Sequence, residues 1–409
     1  MAIIEEDIAM FVPQMITNVS GTTPQGTPSL IDQPSIAIVG GSITGPTLAL
    51  LLRKAGFTDV SVFEASPEPT AQAGGVIGLD HTSLGMLDTV GVPQEEIVPF
   101  PSERVVSIAV ADRNETGRVQ TIYPGRNSSW SVLNTSLLAR LPQDKLYLGR
   151  RVKALSTSAG RAVLEFKDAD PVAADLVVFA DGRRSTGRQL LDPDRHLTYA
   201  GYVAWRGQLP YCPPELSDFT RFEHPGTQFN IFPILGNDGT VSTDWTFYLN
   251  VEQQHFVDMV GGDPTRRTFV LPHQISEAAR QFVQEHARQL LPPEASTIID
   301  ATPRWTAAPV IDIDEPARMV YPDSRAVLIG DALAPVRPHT ARGANNGIEQ
   351  AGGLVTALYQ HARYGADLDA TLSGWQQRYL PGVHAAVRQG PKLGSAMGLG
   401  HPSSSGGNT

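Results

Sequence analysis

The residues best suited to chemistry lie in a glycine-containing turn that follows a short apolar run at residues 36–39. In Gly40-Gly41-Ser42-Ile43-Thr44-Gly45, Gly40 permits a tight bend and Gly45 lets a following helix sit close to the strand. Backbone N–H groups at the start of that helix would face a pyrophosphate. The sequence therefore predicts a dinucleotide site formed by Gly40, Ser42, Ile43, Thr44 and Gly45.

A carboxylate stands at the end of the next apolar run, residues 60–63. From this position Glu64 can accept hydrogen bonds from an adenosine ribose, and its charge disfavours a 2′-phosphate. Glu64 completes the strand–helix–strand pattern typical of dinucleotide binding.

Competing motifs fail on single residues. Pro46 stands where a P-loop needs its lysine, and Thr44 stands where a hydrolase nucleophile elbow needs its last glycine. The chain has one cysteine, Cys212, and its 10 histidines are scattered. We therefore expect no metal site.

Two further turns follow apolar runs, at residues 176–180 and 326–329. Their notable residues are Asp181, Gly182 and Arg188 in the first, and Gly330, Asp331, Pro338, Gly343, Ala344 and Asn345 in the second. With the first glycine turn, this order resembles the three FAD signatures of the single-component flavoprotein monooxygenases, the para-hydroxybenzoate hydroxylase-like family. The resemblance spans roughly residues 35–380.

The resemblance implies FAD as cofactor and NADH or NADPH as transient reductant. It assigns Asp181, Gly182 and Arg188 to the FAD pyrophosphate and to the nicotinamide, and Asp331 to the flavin ribityl chain. The residues from Gly330 to Asn345 named above complete the expected cofactor-binding set. A turn cap is the alternative for Asp331, and a solvated surface pair is the alternative to a nicotinamide role for Arg183 and Arg184.

The sequence departs from the family pattern in three places. Ala341 and Arg342 replace a usual Gly and Gln, and Gln350 stands where Asp is common. The arginine often found near residues 130–133 is absent. These departures bear on how the flavin moves and is reduced.

The activity implied by the resemblance is hydroxylation of an electron-rich aromatic or heteroaromatic small molecule by O2, through a flavin C4a-hydroperoxide. Residues 199–207 and 337–341 resemble the 2,6-dihydroxypyridine hydroxylase-like branch of the family. Two alternatives stay open: epoxidation or dearomatising oxidation of a polycyclic natural product, and a scaffold or cyclase in which FAD is redox-silent.

Two residues are catalytic candidates. Arg206 could stabilise a phenolate or the hydroperoxide, with a structural ion pair or a cation–π contact to Trp205 as the alternative. His339 could shuttle a proton near neutral pH, with a turn histidine bonded to backbone as the alternative.

Four aromatic side chains are candidate walls of the substrate pocket. They are Tyr202, Trp205, Phe229 and Trp245. Packing in the core of a sheet is the alternative for each of them, because aromatic residues that alternate along a strand often face a core.

The elements that must position these residues define an α/β fold. We expect a Rossmann-like FAD-binding domain at residues 35–195 and 301–381, because its strands read as short buried runs. Residues 196–300 interrupt it with a β-rich substrate domain, since the side chains of residues 199–251 alternate with period two. Residues 1–34 form an N-terminal extension, and residues 382–409 form a C-terminal helix and tail.

Composition narrows the remaining possibilities. The 409 residues carry a formal net charge of −10, which disfavours a general nucleic-acid binder. No apolar run is long enough to span a membrane, and the acidic start does not suit a signal peptide, so we expect a cytoplasmic protein. A single cysteine excludes an intrachain disulfide, and we expect a monomer or homodimer.

Overall fold

The computed structural model describes Leu30 and residues 33–68, 75–98, 104–236 and 238–400. Most of the expected N-terminal extension and the last part of the expected C-terminal tail lie outside these residues. The described residues form two main sheets with helices packed around them, which confirms the α/β fold.

A six-stranded sheet contains the short buried runs. Its strands in spatial order are β17 (Val320–Tyr321), β18 (Ala326–Leu328), β11 (Leu176–Phe179), β1 (Ile36–Val39), β2 (Val60–Phe63) and β7 (Leu146–Tyr147). β1 pairs in parallel with β2 and β11, and β11 pairs in parallel with β18. Because the carboxyl ends of parallel strands meet at one edge, the turns after β1, β11 and β18 converge.

A seven-stranded sheet forms the second lobe, and it confirms the prediction of a separate sheet with period-two alternation. Its strands in spatial order are β16 (Trp305–Ile313), β12 (Leu197–Leu209), β15 (Val241–Asn250), β14 (Thr227–Leu235), β13 (Phe219–His224), β4 (Arg104–Ala111) and β5 (Asn114–Ile122). All neighbours are antiparallel except β13 and β4.

Two small sheets and ten α-helices complete the described elements. The small sheets pair β3 (Val76–Asp80) with β6 (Gly125–Ser129), and β8 (Val152–Ser158) with β9 (Arg161–Phe166) and β10 (Val172–Ala174). The helices are α1 (Thr44–Lys54), α2 (His81–Thr89), α3 (Gln94–Ile97), α4 (Trp130–Arg140), α5 (Thr186–Leu191), α6 (Gln253–Val260), α7 (Glu277–Leu290), α8 (Pro293–Ala301), α9 (Gly343–Tyr364) and α10 (Leu368–Ala396). No described helix is apolar over the length that a membrane crossing needs.

Each main sheet has its own core. The six-stranded sheet packs against α1 and α9, whose buried side chains include Leu48, Leu52, Ile348 and Leu354. One face of the seven-stranded sheet packs against α6, α7 and α8. The opposite face turns towards the converging turns of the first lobe, so the two lobes enclose a space between them.

The lobe boundaries differ from those expected from sequence. β4 and β5 at residues 104–122 and β16 at residues 305–313 belong to the seven-stranded sheet, outside the expected interval of 196–300. The side chains of β5 are exposed along its whole length, so this edge strand carries no hydrophobic pattern that would assign it to a core. α10 runs without a break through the expected boundary at 381/382.

Candidate active site

The first glycine turn is built by close approach of backbone to backbone. Gly40 has φ +117°, and a Cβ atom there would overlap the carbonyl oxygen of Ala180. A Cβ atom at Gly45 would overlap the carbonyl oxygen of Gly40. Both glycines are therefore required for α1 to begin directly behind the turn, against β1 and β11.

Glu64 holds its carboxylate at the end of β2. Its Oε2 accepts a hydrogen bond from the Gly41 backbone N–H at 2.7 Å, and its Oε1 accepts one from the Ser66 backbone N–H at 2.7 Å. Each oxygen retains further acceptor capacity. The side chain thus lies beside the glycine turn, at the place where the sequence predicted a ribose contact.

Helix α4 supports the glycine turn from the other side, which the sequence did not predict. The Trp130 indole Nε1 donates to Ser42 Oγ at 3.1 Å. The Asn134 side-chain amide donates to the carbonyl oxygens of Gly41 and Ser42, at 3.1 and 2.9 Å. Trp130 lies within residues 130–133, where the family often has an arginine. In this chain an uncharged indole supports the glycine turn from that stretch.

The Asp181 carboxylate organises its own turn. It accepts hydrogen bonds from Ser185 Oγ at 2.5 Å and from the Thr186 backbone N–H at 2.7 Å, at the start of α5. Burial raises the pKa of Asp181, and these hydrogen bonds oppose the shift. Gly182 has φ +77° and no atom near its missing Cβ position, so its backbone faces open space.

Arg188 joins the second turn to the third. Its guanidinium donates to the carbonyl oxygens of Ala332 at 2.8 Å, Asp331 at 3.1 Å and Arg183 at 2.5 Å. Burial lowers the pKa of Arg188 to about 10, so it stays charged at neutral pH. All of these partners are backbone groups of the two turns, so Arg188 supports the turns themselves. The contact with the cofactor that the sequence suggests for Arg188 stays a prediction.

For Arg183 and Arg184 the sequence leaves two roles open, a nicotinamide contact and a solvated surface pair. Arg183 is held between the lobes. It donates to the carbonyl oxygens of Pro309 at 3.0 Å and Thr268 at 2.6 Å, and burial lowers its pKa to about 10. Arg184 is exposed and donates to the Arg266 carbonyl oxygen at 2.6 Å. Arg183 is therefore not a solvated surface residue.

Asp331 presents a free carboxylate to the space between the lobes. Among the described residues, no group donates a hydrogen bond to it, and its Oδ1 would lie 3.6 Å from a Cβ atom at Gly343. Burial raises the pKa of Asp331, and the charges of Arg183 and Arg188 oppose that shift. The side chain makes no capping bond, which leaves its oxygens available to a ligand.

The start of α9 lies next to Asp331. The helix begins at Gly343, and its N-cap residue makes no side-chain capping bond. Unpaired N–H groups and the helix dipole favour negative charge at such a terminus. Pro338 lines the same space, and Ala344 is half-buried in the first turn of the helix.

Other predicted residues of the third turn have supporting contacts. The Asn345 side chain accepts from the Asp80 backbone N–H at 3.1 Å and donates to the Gly78 carbonyl oxygen at 3.0 Å, so it ties α9 to β3. Gln350 accepts from the Gly330 backbone N–H at 2.8 Å. The residue that departs from the family's Asp thus holds the third turn directly.

Arg342, another departure, forms an ion-pair cluster. It contacts Asp80 at 2.9 Å and Glu349 at 2.7 Å. Burial raises the pKa of Glu349 to about 7. The cluster fixes the first turn of α9 against β3, and Ala341 before it has the left-handed φ of 51°.

One cavity of about 720 Å³ connects the three turns. This volume lies within the range of roughly 300–1,000 Å³ that small-molecule sites occupy. Its wall includes Ser42, Glu64, Gly182, Asp331 and Pro338 from the first lobe. From the second lobe it includes Ala204, Arg206, Ala308 and Val310. The cavity is therefore continuous from the predicted ribose carboxylate to the seven-stranded sheet.

We call the side of that sheet which carries Ala204 and Arg206 the cavity face. Direct cross-strand partners point to the same face of a sheet. Thr246 pairs with Arg206 on one side and with Asn230 on the other, so a polar row crosses three strands. These residues lie deep in the structure: Thr246 is 1% and Asn230 is 5% exposed.

Several buried polar atoms around the cavity face lack a hydrogen-bond partner among the described residues. They are Arg206 Nε, Asn230 Oδ1, Asp244 Oδ1, Thr246 Oγ1 and His339 Nε2. An unsatisfied buried polar group costs about 1–3 kcal/mol and is uncommon in native proteins. Their concentration on one face indicates a place where a polar ligand completes the bonding.

His339 faces this region, in surroundings that oppose its protonated form. Its ring lies 4.4 Å from that of Tyr248 and 5.8 Å from that of Tyr202, between centroids. Burial, together with the charges of Arg337 and Arg221, lowers the pKa of His339 to about 3. This shift favours the neutral imidazole at physiological pH, and proton exchange at His339 stays a prediction.

The structure also corrects three of the four predicted pocket walls. Trp205, Phe229 and Trp245 lie in the core against α6, α7 and α8, and each is fully buried there. Their strand positions are out of phase with Arg206 and Thr246, so they point to the opposite face. Tyr202 shares the phase of Arg206 and lies on the cavity face with Tyr248.

Comparison with known proteins defines the class. The family model described as FAD binding domain matches residues 33–389. The chain belongs to this family: it is an FAD-dependent monooxygenase with the fold of the para-hydroxybenzoate hydroxylase-like enzymes. FAD is its cofactor, and members of the class use NADH or NADPH as reductant.

Individual relatives narrow the resemblance. The 2,6-dihydroxypyridine 3-monooxygenase of Paenarthrobacter nicotinovorans is 30% identical over 386 residues, covering 88% of this chain and 91% of the relative. The structure of 2,6-dihydroxypyridine-3-hydroxylase from Arthrobacter nicotinovorans has a TM-score of 0.80 and 26% identity, covering 91% of this chain and 95% of that one. The 6-hydroxynicotinate 3-monooxygenase of Bordetella bronchiseptica is 24% identical, covering 81% of this chain and 85% of the relative.

Proposed function

We propose that this monooxygenase uses NAD(P)H and O2 to hydroxylate a small aromatic ring that carries hydroxyl or ring-nitrogen groups, such as a hydroxypyridine. The supporting observation is the set of buried, unpaired polar atoms around the cavity face. A purely hydrocarbon substrate would leave Asn230, Asp244 and Thr246 unsatisfied, whereas a ring with donors and acceptors would pair them.

The residues around the cavity suit FAD. We assign the adenosine ribose to Glu64, the pyrophosphate to the Gly40–Gly45 turn and the Gly182 backbone, and the ribityl hydroxyls to the free carboxylate of Asp331. The N-terminus of α9 would then lie beside the flavin ring. When bound, FAD would supply the redox chemistry, namely acceptance of a hydride from the nicotinamide and activation of O2 for transfer of one of its oxygen atoms.

The chain's own side chains orient and polarise the substrate. Arg206 lies at the boundary between the cofactor cavity and the polar row, so its fixed charge can stabilise an oxyanion there. Thr246 and Asn230 would fix the orientation of the ring through hydrogen bonds. Tyr202 and Tyr248 would enclose the ring from the same face.

A panel of ring compounds tests the proposal. The purified holoenzyme is supplied with NADH or NADPH, and nucleotide oxidation is followed with hydroxypyridines, hydroxynicotinates, phenols and unsubstituted rings. We expect faster oxidation, with oxygen from ¹⁸O2 in the product, only for hydroxylated rings. If no ring compound increases oxidation, a redox-silent role for FAD replaces this proposal.

A variant of Arg206 tests its assignment within the same assay. Arg206→Ala should retain FAD and still oxidise the nucleotide, but release hydrogen peroxide in place of hydroxylated product. The coupled fraction should fall about tenfold, which corresponds to one lost charge-assisted hydrogen bond. Unchanged coupling would remove Arg206 from oxygen transfer.

A further inference from the structure

Asp244 is the one acidic side chain of β15, and it is deeply buried. The residue is 5% exposed and its direct cross-strand partners are Gln208 and Phe232. It lies two residues before Thr246, so both side chains point to the cavity face. Its Oδ1 accepts no hydrogen bond among the described residues, while the Val76 backbone N–H donates to the carboxyl group.

Arg206 lies nearby, yet the two residues do not form an ion pair. No nitrogen–oxygen contact of 4.0 Å or less joins them, although the charge of Arg206 acts on the carboxyl group. Arg206 instead reaches towards Tyr248 and the backbone at Gly75. Asp244 Oδ1 and Arg206 Nε thus both lie on the cavity face, and neither atom has a hydrogen-bond partner among the described residues.

We propose that Asp244 accepts the proton of a substrate hydroxyl group, and that Arg206 stabilises the oxygen anion formed. The substrate O–H bond breaks, its proton moves to Asp244 Oδ1, and the electron pair remains on the substrate oxygen beside the guanidinium. The ionised ring is richer in electrons and therefore accepts oxygen more readily. This inference rests on the proposed function, because it needs a hydroxylated ring.

The neighbouring ionisable groups are less suited to this role. Burial raises the pKa of Asp244 to about 7, with Arg206 opposing the shift, so the carboxyl group can both accept and release a proton near neutral pH. The pKa of His339 is lowered to about 3, which makes its imidazole a weak base. Burial raises the pKa values of Tyr202 and Tyr248, so neither phenol is ionised near neutral pH.

Among the residues that the structure describes, two charged or titratable groups face Asp244. Arg206 approaches from β12 and Tyr248 lies on the same strand. From β3 the carboxyl group receives only the backbone N–H of Val76, and from β14 it faces the apolar ring of Phe232. A pH dependence near 7 that Asp244→Asn removes points to this carboxyl group, because Glu349, whose pKa is also raised to about 7, lies in the separate cluster with Arg342 and Asp80.

The test uses holoenzyme and two kinds of hydroxypyridine. One keeps its hydroxyl protonated at neutral pH in water, and the other, made more acidic by fluorine, is already ionised. For the protonated compound, kcat of the wild type should rise with pH through about 7. Asp244→Asn should abolish that rise and lower kcat about a hundredfold at pH 8, within the range of general-base effects. The ionised compound should lose little.

Controls separate a chemical role from a structural one. Asp258→Asn makes the same change at an exposed position of helix α6 and should leave both profiles unchanged. Asp244→Glu keeps the carboxyl group and should restore part of the pH-dependent rise. It also provides the test if the Asn variant does not retain FAD.

The outcomes distinguish the two proposals. Equal losses for the protonated and the ionised compound, or an unchanged pH profile in a folded Asp244 variant, would overturn the role of Asp244 while the proposed function stands. If the wild type hydroxylates no ring in the panel, the proposed function fails and this inference fails with it.

Discussion

The two faces of the seven-stranded sheet are built from alternate residues of the same strands, but they differ in chemistry. The face against α6, α7 and α8 carries Trp205, Phe229 and Trp245, whereas the cavity face carries Arg206 and Thr246 at the intervening positions. The three aromatic side chains and Thr246 are buried, and Arg206 is half-buried with its Nε atom buried. Burial alone therefore does not separate core from site, and hydrogen-bond satisfaction does so better.

Unpaired polar atoms are distributed unevenly between these faces. Within the described part of the sheet, the helix-covered side has the indole Nε1 of Trp205, while the cavity face has several unpaired atoms on β12, β14 and β15. The helix-covered face is thus nearly complete in itself. The cavity face retains several polar atoms that a bound ligand would pair.

Removal of a large core side chain should have the largest effect. Trp245→Ala deletes a fully buried indole that packs against Trp305 at 5.7 Å and donates to Thr302. We expect a loss of about 3–5 kcal/mol in the free energy of unfolding, measured by urea denaturation of the apoprotein. A loss below about 1 kcal/mol would mean that the two faces do not differ in this way.

The buried acid on the cavity face should instead make stability depend on pH. The pKa of Asp244 is raised to about 7 by burial. Between the unfolded-state pKa of about 3.9 and this value, the unfolded chain is ionised while the folded chain is protonated, so stability falls as pH rises. Relative to the wild type, Asp244→Asn should therefore gain roughly 2–4 kcal/mol between pH 4 and pH 8.

Urea unfolding of both proteins across that pH range measures the gain. A constant difference between the two proteins would show that Asp244 is ionised throughout. In that case the carboxyl group would not share the desolvated character assigned to the cavity face.

On the opposite wall of the cavity, loss of the free carboxylate should weaken the cofactor. Asp331→Ala should raise the FAD dissociation constant about ten- to a hundredfold, equivalent to about 1.5–3 kcal/mol for charge-assisted hydrogen bonds. Fluorescence titration of the apoprotein measures the change. Asp323→Ala, on the exposed turn before β18, is a matched control that should bind FAD as the wild type does.

A pair of threonines on β15 should give the smallest and most discriminating effect. Thr246 Oγ1 has no hydrogen-bond partner in the described part of the chain, whereas Thr243 Oγ1 donates to the Tyr211 carbonyl oxygen at 2.8 Å. Thr246→Val should leave stability unchanged or raise it by up to about 1 kcal/mol, and weaken substrate binding. Thr243→Val should lower stability by about 1 kcal/mol without changing substrate binding. Thermal unfolding measures the change in stability, and substrate titration measures the change in binding. If Thr246→Val lowers stability and Thr243→Val weakens substrate binding, the comparison of the two faces is wrong.

The sequence predicts the first lobe better than the second. Gly40, Gly45, Glu64, Asp181 and Asp331 carry local signals, because each follows a buried strand whose end fixes its place. The phase of alternation in β12, β14 and β15 is also visible in the sequence. The sequence does not show which face of the sheet meets the cavity. The answer depends on where α6, α7 and α8 pack, and these helices lie further along the chain.

Aromatic side chains were therefore a poor guide to the pocket. Trp205, Phe229 and Trp245 are candidate walls from the sequence, with core packing as the alternative, and the structure places them in the core against α6, α7 and α8. A better signal was present in Asn230, Asp244 and Thr246, polar residues at alternate positions inside long strands. Such residues would be costly in a sheet buried on both sides unless a ligand or another polar group met them.

The hydrogen bonds of the Arg188 guanidinium affect how FAD binds to the enzyme. Because it donates to the carbonyl oxygens of two separate turns, bonds within the protein itself hold these two turns together. The loss of conformational freedom is incurred when the polypeptide folds rather than at the moment of association. Exchange of one FAD molecule for another should then proceed with little rearrangement of the surrounding backbone.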